Sequence, residues 1–453
     1  MKRFMLFFLA GICLMGNSPV LAQSLFEDVT GLSENNAQKQ TGILLEGFVR
    51  GSAFGGGETY DIATGFAELS LQGKFAFEKA FLNADLRFRK GVAFDGKMPL
   101  LVLKELYAGY RGDHFDVFLG NQIISWGRTD GFNPTDNITP RDYFFLTADP
   151  DDQKIPNFLI RLKYRIIPEI DLDVIGVPFF VASDYRYDLF DMGSQVSFAK
   201  DILPSNAIKN AGVAARLNFD FPVAGWSFSY FRGYDPFHGF ELSSVDWSSG
   251  QPEIMNASRP YLKTSLGADM AIPLGSVIVR AEAAYNITDR PGNEMYIPNT
   301  DFSYVGGVEA GFSGYTVIGQ YVGRFTPDFE PLIVPVLTDP LNPLAQMQYA
   351  NDMIDYENRL FNRRIFYQQE QTNHALALTV TKTFGYEAWE VEMTAYLNLT
   401  SEEWMIHPKI NWKINDALTV SFGGNYMTGS DKTLFGYASK ILNGAFIQMK
   451  VGF

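Results

Sequence analysis

The chain has 453 residues with a formal net charge of −14, a single cysteine and four histidines, and it is rich in Gly (41), Phe (39) and Tyr (22). An acidic balance of this size argues against a nucleic-acid binder. Beyond the N-terminus no apolar run approaches the roughly 20 residues of a membrane helix, so a membrane reading must rest on strands.

Residues 1–22 read as a secretory signal. Lys2 and Arg3 form the positive region, an apolar run follows to Met15, Pro19 breaks it, and Val20-Leu21-Ala22 offers a small residue before Gln23. Cys13 lies inside the apolar run, and the bulky Ile12 before it is wrong for lipidation. Cleavage after Ala22 removes that cysteine together with Lys2 and Arg3, taking the net charge from −14 to −16. The mature chain then has no disulfide and no thiolate site. Residues 23–40 are polar, lack strand periodicity and read as a periplasmic tail.

From residue 41 to 453 period-2 alternation recurs in about 18 segments, 16 being the alternative count. Each is about ten residues long, enough for a tilted strand to cross the hydrocarbon layer. In 157–166, Phe158, Ile160, Leu162, Tyr164 and Ile166 share one face, and Arg161, Lys163 and Arg165 the other. The connections alternate short and long. Short ones such as 112–114, 221–224 and 313–314 separate long ones at 126–156, 180–210, 234–259 and 326–373. Short turns on one rim and long loops on the other are the rhythm of an all-β, transmembrane, antiparallel up-and-down β-barrel, with the turns periplasmic and the loops extracellular. Closure is physically required, because an open edge in lipid leaves backbone groups unpaired at several kcal/mol each. The loop 326–373 is expected to be partly helical, since 344–367 contains no breaker.

Polar faces supply candidate pore-lining residues: Arg87 and Arg89 beside Asp85, the Arg161, Lys163, Arg165, Asp171 and Asp173 hairpin, and Arg280 and Arg324. A tight turn at 167–169 sets Arg165 opposite Asp171 and Lys163 opposite Asp173. Arg161 is then expected to lack an acidic partner and to attract anions. The loop 126–156 is dense in turn formers, and its functional reading is an inward-folded constriction carrying Arg128, Asp130, Asp136, Arg141 and Asp142. A rigid extracellular loop is the bland alternative. No cofactor and no metal site are expected, calcium at Asp149, Asp151 and Asp152 being the lesser reading because no EF-hand spacing is present.

The run Trp126-Gly127-Arg128, Asn133-Pro134-Thr135-Asp136 and Pro140-Arg141-Asp142 resembles a stretch found in outer-membrane barrels grouped with porin-like and alginate-export-like proteins. That resemblance implies a Gram-negative transport protein of the cell outer membrane and no particular substrate; the alginate exporter is also an 18-stranded barrel. The chain ends with Ile447, Met449, Val451 and Phe453 on one face, which resembles the carboxy-terminal signal read by the barrel assembly machinery. Enzymatic readings fare poorly, as none of His114, His238, His374 and His407 sits in a nucleophile-elbow or zinc motif. The function expected is a channel for passive diffusion of small hydrophilic solutes, anionic ones among them. The alternative is an exporter or receptor for a lipid or polysaccharide working with a periplasmic partner. Outer-membrane lipid, lipopolysaccharide and the assembly machinery are the expected partners, with a homotrimer as the expected kind of assembly.

Overall fold

The computed structural model describes residues 42–58, 61–94, 96–289, 294–430 and 433–453. The signal segment, Cys13 and the periplasmic tail read from the sequence lie outside these residues.

Eighteen long antiparallel strands form one closed ring. In chain order they are Gly42–Gly56, Asp61–Phe77, Ala80–Ala93, Leu101–Arg111, Phe115–Gln122, Asn157–Ile167, Ile170–Val177, Gly212–Phe221, Ala224–Tyr234, Leu262–Leu274, Val277–Thr288, Asp301–Phe312, Tyr315–Phe325, Thr372–Phe384, Trp389–Asn398, Glu403–Lys413, Leu418–Thr428 and Gly444–Gly452. Each pairs with its chain neighbour, and the first pairs with the last from Phe48–Gly452 to Gly56–Gly444. The C-terminal residue completes the seam: Gly47 N–H donates to Phe453 O at 3.0 Å, and Phe453 N–H to Gly47 O at 2.9 Å. Every backbone edge that lipid would have left without a partner is thereby consumed. A two-residue strand, Gly96–Lys97, is appended to the third strand.

The alternation seen in the sequence decides which side chain meets lipid. Ile160, Leu162, Tyr164 and Ile166 are exposed on the outer surface, as are Ile447, Met449 and Phe453, while Arg50, Glu68, Arg87 and Asp173 on alternating positions are buried inside. At the short-turn rim Phe384, Trp389 and Trp412 stack with nearly parallel rings, Trp389 and Trp412 at 5.0 Å between centroids. Such a belt suits the lipid–water boundary. The turns there are as tight as two residues, and Ser313 and Gly314 take φ of 49° and 75°. Both lie in the left-handed region that a type I′ hairpin demands.

The opposite rim carries folded structure. A small sheet joins Val196–Phe198, Gly239–Asp246 and Glu253–Arg259. Helix α1 spans Pro343–Ile365 and α2 spans Leu434–Leu442. Asn342 caps α1 by accepting from Leu344 N–H, Pro343 opens it, and Arg363 and Arg364 occupy its last turn, where cations favour the helix dipole. These pieces share one apolar cluster, including Phe144, Tyr185, Phe240, Tyr261, Phe361 and Phe366. Asn362 locks α1 to the sheet by accepting from Phe240 N–H at 2.7 Å and donating to Phe240 O at 2.8 Å. The outward loops therefore form a packed cap over the mouth of the barrel.

Candidate functional site

After the fifth strand the chain enters the lumen. Its base is pinned where Thr139 Oγ1 accepts from Ile124 N–H at 2.9 Å and donates to Ile124 O at 2.6 Å. Ile124, Trp126 and Ile138 then pack on the inward-facing Leu159, Ile175, Ala214 and Phe231. The next residues wrap around one carboxylate of the eleventh strand. Glu282 Oε1 accepts from Thr135 N–H and Oγ1–H, both at 2.8 Å; Oε2 accepts from Arg128 N–H at 3.1 Å, Thr129 N–H at 3.3 Å and Thr129 Oγ1–H at 2.9 Å. Gly127 makes the wrapping possible. Its φ is 110°, and a Cβ there would come within 2.5 Å of Glu282 Oε2.

Arg128, placed by this turn, reaches two further wall carboxylates. Its Nη2 donates to Asp220 at 2.6 Å and its Nε to Asp269 at 2.8 Å, and Arg216 binds the other oxygen of Asp269 at 2.8 Å. Arg280 joins from the eleventh strand, with Nη1 on Arg128 O and Nη2 on Glu309, each at 2.8 Å, and with Asp130 at 3.4 Å. At the loop tip Phe132 stacks on Tyr396 of the fifteenth strand, centroids 5.2 Å apart, in a small apolar cluster with Ala375 and Ala377.

The returning limb docks on the first to fourth strands. A short 3-10 turn, Pro150–Gln153, presents Asp152 to Arg50 and, at 2.7 Å, to Arg87. Lys104 donates to the carbonyls of Asp151, Asp152 and Lys154 at 3.2, 2.9 and 2.5 Å. Behind them Glu68 binds Arg50 and Arg89, each at 2.6 Å, and Asp85 binds Arg87 at 3.0 Å. Burial opposes ionisation of Asp152, but the two guanidinium groups outweigh it and hold the carboxyl well below the usual range. In an 18-strand ring the second strand, flanked by the Arg50 and Arg87 strands, lies nine places from the eleventh, which carries Glu282. The loop thus spans the lumen between opposite walls.

Of the loop residues singled out from sequence, Arg128 and Asp130 sit among these wall contacts. Asp136 accepts from Trp126 N–H and from Arg141 at 3.3 Å, and burial pushes its carboxyl up. Asp142 accepts from Phe144 N–H at 3.0 Å; burial, then the neighbouring Asp184, pushes it up to about 6. Arg324 reaches Phe366 O and Asp301 near the cap. Asp151 and Asp152 are taken up by Lys154, Arg50 and Arg87. Among the described residues no group of three His, Cys, Asp or Glu could hold a metal ion.

One expectation is corrected. Backbone register does set Lys163 opposite Asp173 and Arg165 opposite Asp171, yet the ion pairs run diagonally. Arg161 holds Asp173 at 2.7 Å, Lys163 lies 3.7 Å from Asp171, and Arg165 turns to Asp116 of the fifth strand at 2.6 Å. Diagonal neighbours lie within reach of side chains as long as Arg and Lys, and Arg161 is paired in this way. Sequence reasoning missed Lys104, Asp269, Glu282 and the Phe132–Tyr396 contact. Glu282 shares the polar face of Arg280 and could have been found by extending that face. Lys104 was hidden by the register shift between Asp85 and Leu86.

Fold and interior together define a closed 18-strand antiparallel β-barrel with an apolar outer wall and a polar lumen. Compared by sequence, the chain matches no protein-family profile and no curated protein. Compared by structure, it is similar to Pseudomonas aeruginosa OccK3 (OpdO), with a TM-score of 0.53 at 11% identity over 95% of this chain and 99% of that one. It is also similar to a BenF-like porin from Pseudomonas fluorescens Pf-5 (TM-score 0.52, 10% identity, 91% and 97% covered) and to the outer-membrane protein opdK from P. aeruginosa (0.51, 8%, 91% and 98%). At these identities the likeness is one of fold. The alginate-export side of the resemblance is not carried by these neighbours.

Proposed function

We propose that the protein is an outer-membrane channel through which small hydrophilic solutes, anionic ones among them, diffuse passively. The observation that supports this reading most is the loop 123–156 folded into a barrel with a polar inner wall, which narrows the lumen with charged side chains held at fixed positions. Fixed charges at a narrowing select by size and charge and need no chemistry, so the reading is of a transporter rather than an enzyme. The similar porins point the same way. Lipid and lipopolysaccharide would meet the apolar outer wall, and the final strand would be the segment handed to the assembly machinery. Planar-bilayer recording tests the proposal. Stable single-channel steps from the purified barrel are the expected result, enlarged by Phe132→Ala at the loop tip. A barrel that inserts and stays silent, in the parent and the variant alike, would end the channel reading in favour of a partner-dependent exporter.

A further inference from the structure

The ring order shows which charged walls face each other, and the periplasmic half of the lumen turns out to be polarised. The sixth strand bears Arg161, Lys163 and Arg165 on its inner face, and the fifteenth bears Glu390 and Glu392. They lie nine places apart in a ring of 18, so they stand on opposite walls. Both groups lie towards the short-turn rim.

Most of these charges are paired, and the field depends on which partner of each pair stands nearer the open lumen. On the sixth strand it is the cation. The side chain of Arg161 is 23% exposed against 2% for Asp173, and that of Arg165 is 28% against 8% for Asp116. On the fifteenth it is the anion, Glu392 being 24% exposed against 11% for Lys409 at 3.2 Å. Glu390 is bound by a neutral group, the Asn411 amide, at 2.7 Å. The basic arc also continues: Lys74 and Arg111 lie over the Phe81 ring, and among the described residues neither has a carboxylate within 4 Å. The rim charges Glu46 and Lys413 are exposed and more fully screened by solvent.

We infer that the periplasmic half of the lumen orients and favours small zwitterionic solutes. A carboxylate would turn towards the Arg161–Lys163–Arg165 wall and an ammonium towards Glu390 and Glu392. This rests on the channel reading and deepens it. A transverse field exerts no net pull on a neutral solute, but it lowers the energy of a dipole that aligns with it. A simple anion is drawn to one wall and gains nothing from the other.

The experiment is solute entry into proteoliposomes, followed by swelling, with serine as the zwitterion, erythritol as the neutral probe and lactate as the anion. The expected result is a serine-to-erythritol ratio of about three or more. That ratio should fall towards one in the Glu390→Gln/Glu392→Gln double variant and also in Arg161→Gln/Lys163→Gln. Lactate entry should rise in the first double variant and fall in the second, which separates a two-walled site from a purely anionic one. A parent ratio near one, or a ratio that neither double variant changes, overturns the inference while leaving the channel standing. Failure of all three solutes to enter brings down the channel reading and this inference with it.

Discussion

Glu282 and Thr135 are joined by two hydrogen bonds of 2.8 Å, backbone N–H and side-chain O–H converging on the same carboxylate oxygen across 147 residues of sequence. This contact ties the crossing loop to the eleventh strand, and the same carboxylate takes three more donors from Arg128 and Thr129. Glu282→Ala strands all of them in a buried site. Hydrogen bonds to a charged group contribute about 1.5–3 kcal/mol each, without simple additivity. The loop should undock while the barrel persists, seen as noisier, larger single-channel steps with unchanged circular dichroism. A quiet channel of parental size would count against this.

Asp152 is the anchor on the other wall. Asp152→Asn leaves Arg50 and Arg87 buried with one carboxylate fewer, a loss on the order of 3–5 kcal/mol. Because its carboxyl is held below the usual range, its stabilisation is present above the unfolded value of about 3.9 and lost only as pH falls through the lower folded value. Protease protection of the loop should therefore survive at pH 4 in the parent and be lost near neutrality in the variant.

Asp142 has the opposite sign. Its carboxyl, pushed up to about 6 by burial and Asp184, contributes stability that is full below about 3.9 and lost as pH rises through 6. Loop protection should tighten when pH is lowered from 7 to 5, and Asp142→Asn should abolish that dependence. A variant with the parent's pH profile would remove Asp142 as the source.

The closing seam predicts an assembly defect. A Cβ at Gly47 would lie 2.5 Å from Ser70 O and 2.7 Å from the Phe453 ring. Gly47→Val should lower the yield of heat-modifiable folded barrel in outer membranes several-fold, and Gly51→Val, where a Cβ meets nothing within 4 Å, should be tolerated. Equal yields would show that the seam accepts a side chain.

The barrel was legible because two regularities repeat along the whole chain. Lipid enforces alternation on every strand, and the short-turn rim keeps its connections short. The diagonal ion pairs of Arg161, Lys163 and Arg165 were not legible, since register fixes which backbones oppose and leaves long side chains a choice of neighbours. Nor was the partner of Arg128. Asp269 and Glu282 lie more than 140 residues away, and only closure of the ring brings them near. The Asn133-Pro134 and Thr139-Pro140 turns pointed to a rigid loop, but rigidity is the same whether a loop stands in water or inside a cylinder.

A cylinder with one strut across it resists flattening. With one end at Arg50 and Arg87 and the other at Glu282, the crossing segment works as a spoke that keeps the wall round. Its two ends clasp parts of the ring that the sequence keeps far apart, Thr135 and Glu282 being 147 residues from each other, so the spoke also fastens the early strands to the later ones.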